Sequence, residues 1–209
     1  KTGQPVSYVQ IARSLEDIRA KYSNADIEIN IVGFAKLVGD VVEGLNTVMG
    51  FFAIAFLITG LLLWVYSRSL RLTMVALLVA LLPVIWLLGL LPLLGLGIDP
   101  MSILVPFLIF SIGVSHAVQM TNAWKQEVLA GSDSVSAAKA AFSKIFIPGA
   151  LALLMNALGF GVIMLIDIPI VHELGITACI GVMLMIITNK IMLPLIIAHL
   201  QLEPCLLLA

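Results

Sequence analysis

The sequence predicts an all-α integral membrane bundle of five transmembrane helices with a short N-terminal α/β piece ahead of it, and three observations predict it. Hydrophobic residues make up 61% of the 209-residue chain and charged residues 11%, against about 45–50% and about 25% in an ordinary soluble domain. The mean hydropathy is +1.15. The apolar residues gather into five runs, each near the roughly 20 residues a helix needs to cross a bilayer. A formal net charge of −1 with scattered basic residues argues against a nucleic-acid partner. Cys179 and Cys205 have neither disulfide-framework nor zinc-ligand spacing and read as structural.

Residues 1–44 are polar enough to lie outside the membrane. In "VSYVQIARSLEDIRAKY" the apolar positions Val9, Ile11, Leu15 and Ile18 recur at helical spacing, whereas "ADIEINIVGF" alternates like a strand. One such α then β unit cannot hold a core alone, so it is expected to be the C-terminal end of a larger extracytoplasmic porter domain. "GFAKLVGDVVEGLNTVMGFF" then runs without a proline into the first span, which predicts a helix continuing from the polar piece into the membrane. The chain begins "KTGQPVSYVQ", with no start methionine and none of the sections of a signal peptide. An odd number of spans behind an outside segment leads to the expectation of a further helix ahead of it.

The transmembrane domain, residues 45–200, carries spans near 45–66, 72–97, 101–124, 145–166 and 171–197. Pro83, Pro92 and Pro106 interrupt two of them, which membrane helices tolerate where neighbours satisfy the freed carbonyls. Arg68, Arg71, Lys125, Lys139 and Lys144 lie in turns on one side, and Asp99, Asp167 and Glu173 on the other. By the positive-inside rule the basic side is cytoplasmic, residues 1–44 are outside and the C-terminus is inside. Tyr66 and Trp124 fall at interface depth, where aromatic residues are enriched. Between spans three and four, residues 130–144 place Val135, Ala138, Phe142 and Ile145 on one side and Ser136, Lys139 and Ser143 on others, the pattern of a helix on the cytoplasmic membrane surface. Residues 201–209 form a cytoplasmic tail or a chain break.

The third span carries the chemistry. At about 100° per residue, Ser111, Ser115, Gln119 and Asn122 fall within an arc of roughly 80°, a polar stripe in an apolar helix, with His116 at its edge. Unpaired polar groups at membrane depth are costly, so the stripe should face helices or water. His116 has two readings: a proton carrier or gate, since imidazole titrates near neutral pH, or a neutral hydrogen-bonding residue that ties helices together with Ser115 and Gln119. Asn156 and Thr188 are expected to join Ser111 and Asn122 in a polar network in the bundle interior. Lys190 lies near the cytoplasmic end of the last span, where its ammonium is expected to snorkel to the interface. At the outer boundary, Asp167 and Glu173 are either solvated or in touch with the porter domain. His116, His172 and Glu173 do not make a metal set, no nucleophile has a paired base, and no glycine-rich phosphate loop is present. No cofactor is implied, and an enzyme is not expected.

The order of elements, with Gly113 in the polar third span and the turn "DIPIVHELG" carrying Ile168, Pro169, Glu173 and Gly175, resembles the resistance-nodulation-division superfamily of exporters. Within it, the likeness is to the hydrophobe and lipid exporters of the mycobacterial-membrane-protein-large group and to sterol-sensing domains. It covers nearly the whole chain, as helices two to six of a six-helix half behind the end of a porter domain. The resemblance implies a proton-driven exporter of hydrophobic or lipid-like molecules in a bacterial inner membrane. A second six-helix half, membrane lipids, a homo-oligomer and a periplasmic protein are its implied partners. Where the family usually keeps proton-relay acids, this sequence has Ser115 and His116. Two other functions share the architecture: a sterol-sensing-like domain that binds a lipid between helices and regulates a partner, and a protein-translocation accessory factor.

Overall fold

The computed structural model describes residues 8–24, 27–96 and 102–200. They fall into two units, divided between Ile54 and Ala55.

In the first unit, helix α1 (Tyr8–Tyr22) forms where the apolar spacing predicts it and lies against the start of α2 (Phe34–Ser67). The contact is close because it is made of small residues: Ala12 is buried, and a Cβ on Gly39 would collide with that of Ala12. Lys36 clamps the pair, with its Nζ 2.9 Å from Glu16 Oε2 and 2.7 Å from Asp40 Oδ1. The predicted strand is corrected. Ala25 and Asp26 lie outside the described residues, and from Ile27 to Gly33 the chain is irregular apart from one isolated bridge between Asn24 and Ile27. A lone strand has no ladder to satisfy its backbone, and no second strand stands beside it among the described residues. The piece ahead of the spans is therefore helical rather than α/β, and α2 runs unbroken for 34 residues into the first apolar stretch.

The second unit holds the rest of α2, then α3 (Leu70–Leu93), α4 (Val105–Leu129), α5 (Ser134–Ile163) and α6 (Pro169–Ile186), which passes through a π-helical turn (Ile187–Met192) into α7 (Leu193–Ala198). With α6 to α7 taken as one run, five helices among the described residues are long and apolar enough to cross a membrane. The bundle has a basic end, marked by Arg68, Arg71, Lys125, Lys139 and Lys144, and an acidic end, marked by Asp167 and Glu173.

Helices approach closely where glycine removes a side chain. A Cβ on Gly113 would lie 3.3 Å from the carbonyl oxygen of Ala80 and 3.4 Å from its Cα, and one on Gly181 would lie 2.6 Å from the side chain of Ile109. This is the small-residue packing that membrane helices use in place of a hydrophobic drive.

At the basic end the turns are closed by side chains. Arg68 takes a positive φ of 56° in the short turn between α2 and α3. The Ser69 hydroxyl accepts from Leu72 N–H to cap α3, Ser67 and Thr73 share a hydrogen bond of 2.8 Å, and Lys125 Nζ donates to the Ser67 carbonyl at 3.1 Å. The Ser134 hydroxyl lies 3.0 Å from the Ile197 carbonyl and 2.9 Å from that of Leu200, which ties α5 to the end of α7. Trp124 is fully buried, and its indole N–H donates to the Ser134 carbonyl at the start of α5 at 3.1 Å. Tyr66 stays exposed.

The amphipathic segment 130–144 is not a separate surface helix. From Ser134 onward it is the first third of α5, which continues through Pro148 to Ile163. Its alanines explain why: Ala137, Ala138 and Ala141 are buried in the core with Met120, Trp124 and Leu193, so part of its apolar side is already covered. Asp133 caps the helix by accepting from Ser136 N–H at 3.2 Å, and its hydrogen bonds to Ser136 hold the carboxyl below the usual carboxylate range.

Gly113→Leu should destabilise the bundle by about 1–3 kcal/mol through overpacking, whereas Gly159→Leu, at a position with open space around it, should leave thermal unfolding in detergent unchanged. The Asp133 cap follows the sign of its shift. Its contribution is full above the unfolded carboxyl pKa and is lost as pH falls through the lowered folded value. Hydrogen exchange at Ser136 should stay slow through mildly acidic pH and rise below the ordinary carboxylate range, while Asp133→Ala should exchange fast throughout.

Candidate functional site

Pro194 shapes the centre of the bundle. In a regular helix its N–H would bond to the carbonyl of Lys190. Proline has no N–H, and its ring crowds that carbonyl. The helix responds by widening: Leu193 N–H bonds to the Thr188 carbonyl five residues back, and Ile187–Met192 forms a π-helical turn. Such turns are rare and concentrate at functional sites.

Thr188, Asn189 and Lys190, three consecutive polar residues of this turn, are all 0% exposed. Consecutive residues point about 100° apart, so all three can be buried only if the turn is enclosed on several sides, and α3, α4 and α5 all touch it. Thr188 Oγ1 donates to the Met185 carbonyl. Among the described residues, Lys190 Nζ and both amide atoms of Asn189 have no hydrogen-bond partner.

Lys190 does not snorkel to the near interface. Helical side chains lean toward the helix N-terminus, and α6 runs from the acidic end toward the basic end. The lean carries the ammonium away from the closer boundary. It ends against Gly149 of α5, where an added Cβ would collide with Nζ, would lie 2.8 Å from Cε, and would stand 3.7 Å from His116 Nδ1 of α4. The missing side chain of Gly149 is the space the amine occupies. Gly149 is midway along α5 and His116 midway along α4, so the site lies at mid-depth.

His116 is 6% exposed, and its Nδ1 has no partner among the described residues. The described carboxylates of the second unit, Glu127, Asp133, Asp167 and Glu173, all stand close to helix ends. The centre therefore pairs an amine and an imidazole with a primary amide and no acid. Both basic groups exchange protons, and an unpaired charge at this depth is costly, so their proton occupancy depends on access to water or to an anion.

The polar stripe is parted from this centre. Ser111, Ser115 and Gln119 are exposed on the outside of α4, Asn122 is half-buried, and His116 beside them turns inward. Asn156 is half-buried on α5, and Thr188 lies in the buried turn. Asp167 is exposed in the turn before α6, and Glu173 is half-buried. The Cys179 thiol donates to the Ala157 carbonyl at 3.2 Å, in keeping with a structural role. Asn189 and Gly149 are the members that periodicity overlooks, and Lys190, visible in the last span, is the one whose depth it misplaces. The signal for them is local: a proline four residues after a lysine in the last span, and a glycine in the middle of the preceding one.

Toward the acidic end, a groove of about 590 Å³ opens between α4, α5 and α6, lined by Leu104, Val105, Phe107, Leu108, Phe160 and Leu174, with Ser111 as its polar member.

Lys190→Met keeps the volume of the side chain and removes an amine that has no partner to lose. It should raise stability by about 1–3 kcal/mol, seen as a higher unfolding temperature in detergent; a fall of that size would show that the amine holds the bundle together.

The family model described as Patched SSD, the Patched sterol-sensing domain, matches residues 32–199. No curated protein and no solved structure matches the chain. The matched stretch includes every helix from α2 to α7, the buried amine and imidazole, and the groove beside Ser111. By that match the chain belongs to the Patched sterol-sensing-domain family.

Proposed function

We propose that this domain is one half of a proton-coupled exporter of hydrophobic or lipid-like molecules, with His116 and Lys190 as the groups whose protonation drives it. One observation carries the reading: an imidazole and an amine meet at mid-depth beside a π-helical turn, with the described carboxylates of the unit away at helix ends and with unused hydrogen-bonding capacity. A domain that only scaffolds a membrane gains nothing from burying such groups, since an apolar replacement would serve better. A carrier gains a group whose charge changes as water reaches it from alternate sides.

Membership of a sterol-sensing family supports a lipid-like cargo. The exposed stripe of Ser111, Ser115 and Gln119 supports a second helical half, because polar groups at membrane depth need a partner other than lipid. In this reading the relay role expected of Ser115 and Gln119 becomes contact with that half, and His116 keeps the coupling role. The basic end lies in the cytoplasm of a bacterial inner membrane, with Asp167 and Glu173 toward the porter domain.

A second reading, a lipid-binding regulatory domain, is favoured by the groove beside Ser111. The two separate in liposomes that carry the full-length protein, an internal pH dye and a fluorescent lipid. Export predicts that an imposed pH gradient moves lipid together with protons, and that His116→Ala and Lys190→Met each reduce this on the order of 100-fold without loss of fold. Lipid binding with no gradient-driven movement would support regulation, and full coupled export by both variants would overturn the role of the buried pair.

A further inference from the structure

A second groove, of about 680 Å³, lies at the basic end between α5 and the run of the π-helical turn and α7. It is separate from the groove beside Ser111 and shares no lining residue with it. Its wall is apolar, with Phe142, Ile191, Pro194 and Leu195 as its larger members, and its basic members are Lys139, Lys190 and His199, with no acidic residue among the described residues that line it. Lys190 is sealed behind the wall, whereas Lys139 and His199 are exposed.

The order of these residues along the helices is informative. Helix α5 starts at the basic end, so Lys139 stands nearer the membrane boundary and Phe142, one turn on, stands deeper. Helix α7 finishes at that end, so His199 stands nearest the boundary, with Leu195 and then Ile191 behind it. The groove thus grades from cationic at its mouth to apolar within. His199 Nδ1–H donates to the Leu195 carbonyl at 2.8 Å, which fixes the ring at the mouth of the groove. The nearby Asp133 is engaged by Ser136 and is not among the lining residues.

We propose that this groove binds a net-anionic phospholipid, its phosphate between Lys139 and His199 and an acyl chain along Phe142, Ile191 and Leu195. A basic pocket between membrane helices attracts such head groups, and the apolar wall would be unused by a free anion. A zwitterionic lipid brings its own cation to a mouth that already holds the Lys139 ammonium. The site does not depend on proton coupling.

The full-length protein, reconstituted in vesicles with spin-labelled phosphatidylglycerol or spin-labelled phosphatidylcholine, tests it through the motionally restricted lipid fraction. Phosphatidylglycerol should be held in preference to phosphatidylcholine. Lys139→Gln should lower that preference about five-fold, the double variant with His199→Gln should abolish it, and Ile191→Trp should displace the acyl chain and reduce both lipids. Equal retention of the two lipids by the unmodified protein overturns the proposal, as does a preference that survives the double Gln variant. Displacement by inorganic phosphate alone would show an anion site without a lipid, and would equally reject it.

Discussion

At the hydrocarbon depth of a bilayer no water is present to satisfy a polar group, and the structure follows from that condition. It requires the spans to be helices, since each backbone N–H then finds its acceptor within its own segment. It places the exceptions at the ends, where Ser69 and Asp133 cap α3 and α5 and the Ser134 hydroxyl reaches the carbonyls that finish α7. It also explains why Trp124, deep in the core, sends its N–H to the Ser134 carbonyl.

Against that background the centre of the bundle stands apart. Pro194 removes one backbone donor and widens the helix, and the widened turn turns Thr188, Asn189 and Lys190 into the interior. Gly149 leaves room for the amine, and His116 borders the same glycine from α4. Each device costs local stability: proline in a helix, glycine at a helix midpoint, and polar atoms without partners. They converge at one depth, on three helices.

The bundle surface is also uneven. The two grooves lie toward opposite ends, one with a serine as its polar member and the other with a basic mouth. The stripe of Ser111, Ser115 and Gln119 faces away from the buried centre although it neighbours His116 in sequence. One residue of helix rotation, about 100°, divides the α4 residues that serve the interior from those that face outward.

The sequence by itself determined the five apolar spans and the likeness to sterol-sensing domains, because length, apolar content and residue order depend only on the chain. It also disclosed His116, since a histidine in an apolar run is visible without coordinates. The strand in "ADIEINIVGF" was misread because alternation becomes a strand only where another strand is present to pair with it. Residues 130–144 looked like a surface helix because periodicity describes a face and not what covers it. Only the tertiary structure decided the depth of Lys190, whose side chain leans with its helix and needs the gap at Gly149. It alone decided which side of α4 is interior. Both depend on neighbours far away in the chain, and no local pattern records where those neighbours stand.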